Sequence, residues 1–305
     1  MSRIIVGVDE SAGSADAITL ASSLARMIGA TVTLVNVFPY DATPSRAVNS
    51  TYEAYLRRDS LAMLERLRSE HGDESFDVEA IANPSAPHGL HALAEAADAG
   101  LIVVGSTHTG HAGRVLPGST AERLLHGSPC PVAMAPKGYA ERGARQPGIV
   151  GCGYDGSLSA QRALRAAHRI AAATGARLRV IRAFHRPAPE LPVKGVPMGG
   201  LPYADKLQEQ AEKELDGALV RLDGEPRGEA FFAVGDPAAI LAESSEQLDL
   251  LVVGSRGYGP MHSVMVGGVA GRVVREAACP VIVFPRSAGH TAEDSVFAKA
   301  VSLHG

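Results

Sequence analysis

The chain has 305 residues, enough for two domains of about 150 residues each, and its 46% hydrophobic and 20% charged content is that of an ordinary globular protein. A formal charge of −4 and the absence of tryptophan argue against nucleic-acid and anionic-membrane surfaces. No apolar run reaches the roughly 20 residues of a membrane helix, and the opening MSRIIVGVDES enters a strand pattern at once, so a cytoplasmic protein without a signal peptide is expected.

In chain order the first half alternates strands near Ile4–Val8, Thr31–Phe38, Phe76–Ala82, Leu101–Val104 and Val132–Ala135 with helices near Ala15–Ile28, Arg46–Glu70, Pro87–Ala97 and Thr120–Leu125. A polar link, Glu141–Pro147, leads to strands near Ile149–Gly153, Leu178–Phe184, Ala230–Val234, Leu251–Val253 and Val281–Phe284. Continuous Val/Ile/Leu runs suit strands covered on both faces, and the alternation implies parallel sheets with right-handed crossovers. The expected fold is α/β, two tandem doubly wound five-stranded parallel-sheet domains at residues 1–140 and 147–286, with a tail at 287–305. The proline- and glycine-rich His185–Pro202 reads as a long loop. The tail reads as a short amphipathic helix or as disordered.

The two halves repeat one another. RIIVGVDES (Arg3–Ser11) answers IVGCGYDGS (Ile149–Ser157), LIVVGSTHTG (Leu101–Gly110) answers LLVVGSRGYG (Leu250–Gly259), and SPCPVAMAP (Ser128–Pro136) answers ACPVIVFP (Ala278–Pro285). The offset is 155 − 9 = 146 at Asp9/Asp155 and 254 − 105 = 149 at Gly105/Gly254, so order and spacing survive a net gain of three residues. The apolar final strands would be exposed edges in isolated domains. They are therefore expected to pair with each other, within the chain or across a homodimer.

In a doubly wound sheet, ligands sit beyond the carboxyl ends of the strands at the switch in strand order. The repeat has kept those loops. Asp9 and Asp155 end the first strands; each carboxylate either accepts hydrogen bonds from a ribose or base edge or shapes the turn into the next helix. After the fourth strands come GSTHTGHAGRVLPGST (Gly105–Thr120) and its counterpart, in which Gly254, Gly257, Gly267 and Gly268 precede Val269. Glycines admit close approach of an anion, and the amides of the following helix favour negative charge. No P-loop, GxGxxG fingerprint, GxSxG elbow or HExxH is present. Cys130, Cys152 and Cys279 each sit in or beside a strand and read as core packing.

These residues resemble the universal stress protein family in a two-domain form, whose nucleotide-binding members carry G-x2-G-x9-G followed by Ser or Thr. The resemblance covers all but the tail. It implies the adenine-nucleotide α-hydrolase-like sandwich, dimerisation, and binding of ATP, with or without magnesium, in a stress-response role. In the first half Gly105, Gly118, Ser119 and Thr120 fit the pattern while His108 replaces the second glycine. In the second half Gly254, Gly257 and Gly267 fit, Gly268 replaces the hydroxyl residue ahead of Val269, and Arg256 adds charge or stays solvated. Val37 and Ala183 resemble the family's adenine-side backbone positions, and Arg123 and Arg272 fall at equivalent places in the last helices.

Three readings of His108 stand side by side: a side chain turned outward, a donor to phosphate, or one of four histidines with His88, His91 and His111 converging on a metal. The second half repeats none of the four. The leading expectation is an adenine-nucleotide-binding regulator that binds through both halves with unequal affinity and lacks efficient hydrolysis, since no paired carboxylate or lysine flanks the glycine loops. The rival is an interaction scaffold with degenerate, empty pockets; a metal-dependent enzyme is a third. The choice between ATP and cyclic nucleotides stays open.

Overall fold

The computed structural model describes residues 3–40, 49–71, 73–106, 114–115, 117–143, 145–185, 200–222, 224–255 and 268–285. The first half runs β1 (Arg3–Gly7), α1 (Gly13–Ile28), β2 (Thr31–Phe38), α2 (Asn49–His71), β3 (Asp77–Ala82), α3 (Ala86–Ala96), β4 (Leu101–Gly105), α4 (Ser119–Gly127) and β5 (Val132–Ala135). A single 3-10 turn at Ala140–Arg142 begins the link. The second half runs β6 (Ile149–Gly153), α5 (Leu158–Thr174), β7 (Arg177–Phe184), α6 (Gly200–Val220), β8 (Gly228–Val234), α7 (Pro237–Ser244), β9 (Leu250–Gly254), α8 (Val269–Glu276) and β10 (Val281–Phe284). Local chemistry repeats as well. Gly29 and Gly175 end α1 and α5 at φ 64° and 69°, where a left-handed residue lets its N–H reach back to the carbonyls of Ala25 and Ala171.

The ten strands form one sheet in the order β3-β2-β1-β4-β5-β10-β9-β6-β7-β8. Every neighbouring pair is parallel except β5 and β10, which run antiparallel with Val281 opposite Met134, Ile282 opposite Ala133 and Val283 opposite Val132. Strand alternation sends Ile4, Val6, Leu101, Val103, Ala133, Ile282 and Phe284 into one core layer with α1, α2, α5 and α6. Ile5, Ile102, Val132, Met134, Val281 and Val283 face the other layer, under α3, α4, α7 and α8. Both layers run through both halves without a break.

Two expectations need correcting. The homodimer through the final strands gives way to pairing within the chain: β5 lies between β4 and β10, and β10 between β5 and β9, so neither strand keeps an open edge. The helix expected near Arg46–Glu70 is seen over Asn49–His71, and residues 46–48 lie outside the described residues. The expected loop His185–Pro202 ends earlier, because α6 starts at Gly200 and holds Pro202 within its first turn, where a missing N–H costs no hydrogen bond. Residues 186–199 and the tail lie outside the described residues. Among the described residues, no helix is long and apolar enough to cross a membrane.

Candidate functional site

Each half switches strand order between its first and fourth strands, β1/β4 and β6/β9, and a cleft opens beyond each pair, as the topology requires. The two differ greatly in size. The first-half cleft measures about 370 Å³ and is lined by polar groups of Asp9, Ser11, Ser14, Asn36, Ser106, Ser119 and Thr120, with an apolar wall from Val37, Ala86 and Leu90. The second-half cleft measures about 40 Å³, room for about one water molecule, and its lining is mostly apolar: Ile181, Ala183, Pro237, Leu241, Val269 and Val273 beside Asp155 and Gly254.

At one end of the larger cleft lies β2. The amide of Val8 donates to the carbonyl of Val35 at 2.9 Å, so Val35 turns its polar groups toward β1. Alternation turns the N–H and C=O of Val37 the same way, but the β1–β2 ladder has already ended at Gly7/Val35. Val37 therefore offers a donor and an acceptor at the cleft. Its side chain packs against Gly89 of α3, where a Cβ would meet Val37 Cγ1 at 2.8 Å. Ala183 has the same relation to β6, with the amide of Tyr154 bound to the carbonyl of Ile181.

At the other end lies the start of α4. Gly118 is its N-cap in extended conformation, with no side chain closing the first turn. The amides of Ser119, Thr120 and Ala121 and the exposed hydroxyl of Ser119 thus form a donor-rich, electropositive rim. The cleft has a hydrogen-bonding backbone edge at one end and an anion-favouring helix start at the other. In the second half, Gly268 and Val269 begin α8 in the same geometry without a hydroxyl.

Asp9 shapes the turn, the second of its two readings, and also borders the cleft. Its Oδ1 accepts from the Ser11 amide at 2.8 Å and the Ser14 hydroxyl at 3.2 Å, fixing the turn into α1, and its exposed carboxylate still lines the cleft. Asp155 makes the matching turn through the amide of Ser157 at 3.0 Å. The first glycines are crowded by backbone. A Cβ on Gly105 would lie 2.1 Å from the carbonyl oxygen of Gly13, and one on Gly254 2.8 Å from the Ala160 amide nitrogen. These glycines let a helix start press against a strand end, a packing role beside their place in the cleft linings.

His108, Arg256, Gly257 and Gly267 lie outside the described residues, as does His111. His88 is exposed on α3, and His91 Nδ1 lies 3.6 Å from Glu95 on its own helix; neither lines the cleft. Among the described residues, no group of three or more His, Cys, Asp or Glu could hold a metal ion. Arg272 reaches Asp236, the N-cap of α7, at 2.8 Å; its hydrogen bond and that of the Ala239 amide hold the carboxyl below the usual range. All three cysteines are buried and unpaired. Burial pushes the Cys130 thiol up to about 12 and raises those of Cys152 and Cys279 further.

Sequence reasoning missed Asn36. Its Nδ2 donates to the carbonyl of Val8 at 2.9 Å, and its Oδ1 accepts from Ser60 at 2.7 Å, which ties the cleft floor to α2. The signal was a polar residue inside the apolar run TVTLVNVF. The equivalent residue is Arg182, 8% exposed, which reaches the Tyr154 carbonyl and Glu214 at 3.4 Å each while its Nε stays unpartnered.

Fold and cleft together define a class: a two-domain, doubly wound α/β protein with a ligand cleft at the strand switch. The family model of the universal stress proteins matches residues 1–136 and again 148–285, and the chain belongs to that family, in tandem form. A universal stress protein of Mycobacterium tuberculosis is 28% identical over 304 residues, covering 92% of this chain and 99% of its own length. One from Thermus aquaticus is 39% identical over 132 residues, covering 43% of this chain and 93% of its own. The crystal structure of a universal stress protein from Archaeoglobus fulgidus DSM 4304 shares the fold, with a TM-score of 0.62 at 20% identity over 93% of this chain and 98% of that one.

Proposed function

We propose that the first half binds an adenine nucleotide, ATP, and that the protein acts as a stress-response regulator rather than as an enzyme. The observation that carries this reading is the 370 Å³ cleft with its two unlike ends, within the roughly 300–1,000 Å³ of small-molecule sites. The backbone edge of Val37 suits the hydrogen-bonding rim of adenine, Asp9 suits the ribose hydroxyls, and the start of α4 with Ser119 suits the phosphates. Magnesium, where present, would come with the phosphates, since the cleft lining offers the one carboxylate of Asp9. Efficient hydrolysis needs a group to orient water and cationic groups to spread the developing charge; the described lining includes no lysine or arginine and no second carboxylate.

The test is to denature freshly purified protein and identify released nucleotide by mass spectrometry, with calorimetric titration of ATP, adenosine and cyclic AMP alongside. Nucleotide release or ATP binding at one site per chain is expected. The absence of both release and a calorimetric response would refute the reading. Phosphate release during prolonged incubation with ATP and magnesium should stay at the buffer rate.

One observation favours the scaffold reading for the second half. The described part of this half's cleft is small, about 40 Å³, and mostly apolar in lining, and on the scaffold reading this half contributes sheet and surface. We infer one nucleotide site per chain, where two of unequal affinity were expected from the repeat.

A further inference from the structure

The segment between Gly105 and Gly118 belongs in sequence to the first-half cleft, yet its exit is fastened to the second half. Helix α8 ends at Glu276 with Ala277 as C-cap, and the last carbonyls of a helix lack partners within it and carry partial negative charge. Two of them are capped from the first half. Arg114 Nη1 donates to the Glu276 carbonyl at 2.6 Å, and the Val115 amide donates to the Ala277 carbonyl at 2.9 Å. Arg114 Nη2 also pairs with Glu246 at 3.1 Å. The Val115 side chain is fully buried in the core layer that holds Ala277, Val273 and Val274.

A second tie holds α4 itself. Arg275, in the last turn of α8, pairs at 3.4 Å with Glu122, the acidic residue in the first turn of α4. The two ion pairs and the exposed Arg114–Glu276 bond are individually weak, while the Val115 side chain and the Ala277 that its amide caps are buried. The second half thus grips the chain at Val115, four residues before Ser119, and pairs the Glu122 carboxylate of the first turn of α4 with a cation.

We infer that the second half is a positioning element for the phosphate end of the first-half site, through Arg114, Val115 and Arg275. The inference rests on the nucleotide reading above. It assigns α8, which starts at the second cleft, the work of holding Arg114, Val115 and the start of α4 in place. It also separates the two ends of the ligand. The adenine end rests on β2, in the first half alone, and the phosphate end depends on both halves.

The experiment is calorimetric titration of ATP and of adenosine into the full-length protein and into Arg114→Ala, Glu246→Ala and Arg275→Ala. Glu246 and Arg275 belong to the second half and lie outside the cleft lining, so their effect must pass through the loop or α4. The expected result is weakening of ATP binding by about fivefold or more in Arg114→Ala and Arg275→Ala, a smaller loss in Glu246→Ala, and adenosine affinity unchanged in all three. Unchanged ATP affinity in the variants, with the parent binding normally, overturns this inference alone. Equal loss for ATP and adenosine also overturns it, because a general loosening of the fold moves both. A parent protein that binds neither ligand overturns the nucleotide reading and this inference with it. Unaltered thermal midpoints in the exposed-residue variants keep the comparison clean.

Discussion

Gly105 shows how a single residue can be conspicuous in sequence for one reason and required in structure for another. A side chain there would drive into the backbone of Gly13, 2.1 Å from its carbonyl oxygen, and backbone cannot yield as a flexible side chain can. Gly105→Ala should therefore cost about 1–3 kcal/mol, read as a lower urea midpoint at an unchanged slope. Spacing exposed the glycine; it could not expose what the glycine approaches, because Gly13 is 92 residues away in the chain (105 − 13). The cysteines were legible, since a thiol within an apolar strand has little choice but burial. Their pH behaviour follows. Burial holds the Cys130 thiol neutral to about 12 instead of the ordinary 9.0. A raised folded-state value means its contribution is intact below about 9 and is lost as pH climbs from there toward 12, at about 1.4 kcal/mol per pH unit for one thiol. Native protein at pH 8 should leave all three thiols unreactive to a disulfide reagent, and urea should expose all three. Urea midpoints should fall from pH 9 upward, and less steeply in Cys130→Ala.

At the scale of elements, the start of α4 decides how tightly an anion is held. Its first amides are uncapped by any side chain and Ser119 stands exposed beside them. A hydrogen bond from a hydroxyl to a charged group is worth about 1.5–3 kcal/mol, so Ser119→Ala should weaken ATP binding by about ten- to hundredfold in calorimetric titration, leaving adenosine binding unchanged. The second half supplies the converse. Gly268→Ser restores the missing hydroxyl to α8, yet it should create no second ATP site, since the cleft behind it measures only about 40 Å³; a stoichiometry of two would contradict this. Strand and helix identities were legible from periodicity, and β2, β5, β6 and β10 match their expected bounds. Cleft volume was not legible. It depends on how Pro237 and Leu241 of α7 pack against Val273 of α8, and nothing in the GSRG motif reports on that. Arg182 stands in the place of Asn36 in the alignment that matches Val37 with Ala183, but its burial against Tyr154 and Glu214 was not legible.

At the scale of the whole molecule, the junction of β5 and β10 governs how the halves share stability. An open β5 edge would bring Val132, Ala133 and Met134 to water, whereas the pairing with β10 leaves each of them 1% exposed or less. The two core layers then continue across that junction, with Ala133 and Ile282 in one and Val132 and Val283 in the other. The sequence predicted the pairing but allowed two routes to it, within one chain or between two, because apolar edge strands reveal a need for cover and not its source. A continuous core has a thermodynamic consequence. If either half unfolded alone, the other would be left with a bare apolar edge and two truncated core layers, so partly folded states are penalised. The intact chain should unfold in one cooperative transition, with calorimetric and van't Hoff enthalpies in agreement. Two resolved transitions would show that the junction does not couple the halves. Residues 1–143 expressed alone should recover cover for β5 by pairing with a second copy, giving a dimer by light scattering; a stable monomeric fragment with β5 resistant to proteolysis would show that the edge needs no cover at all.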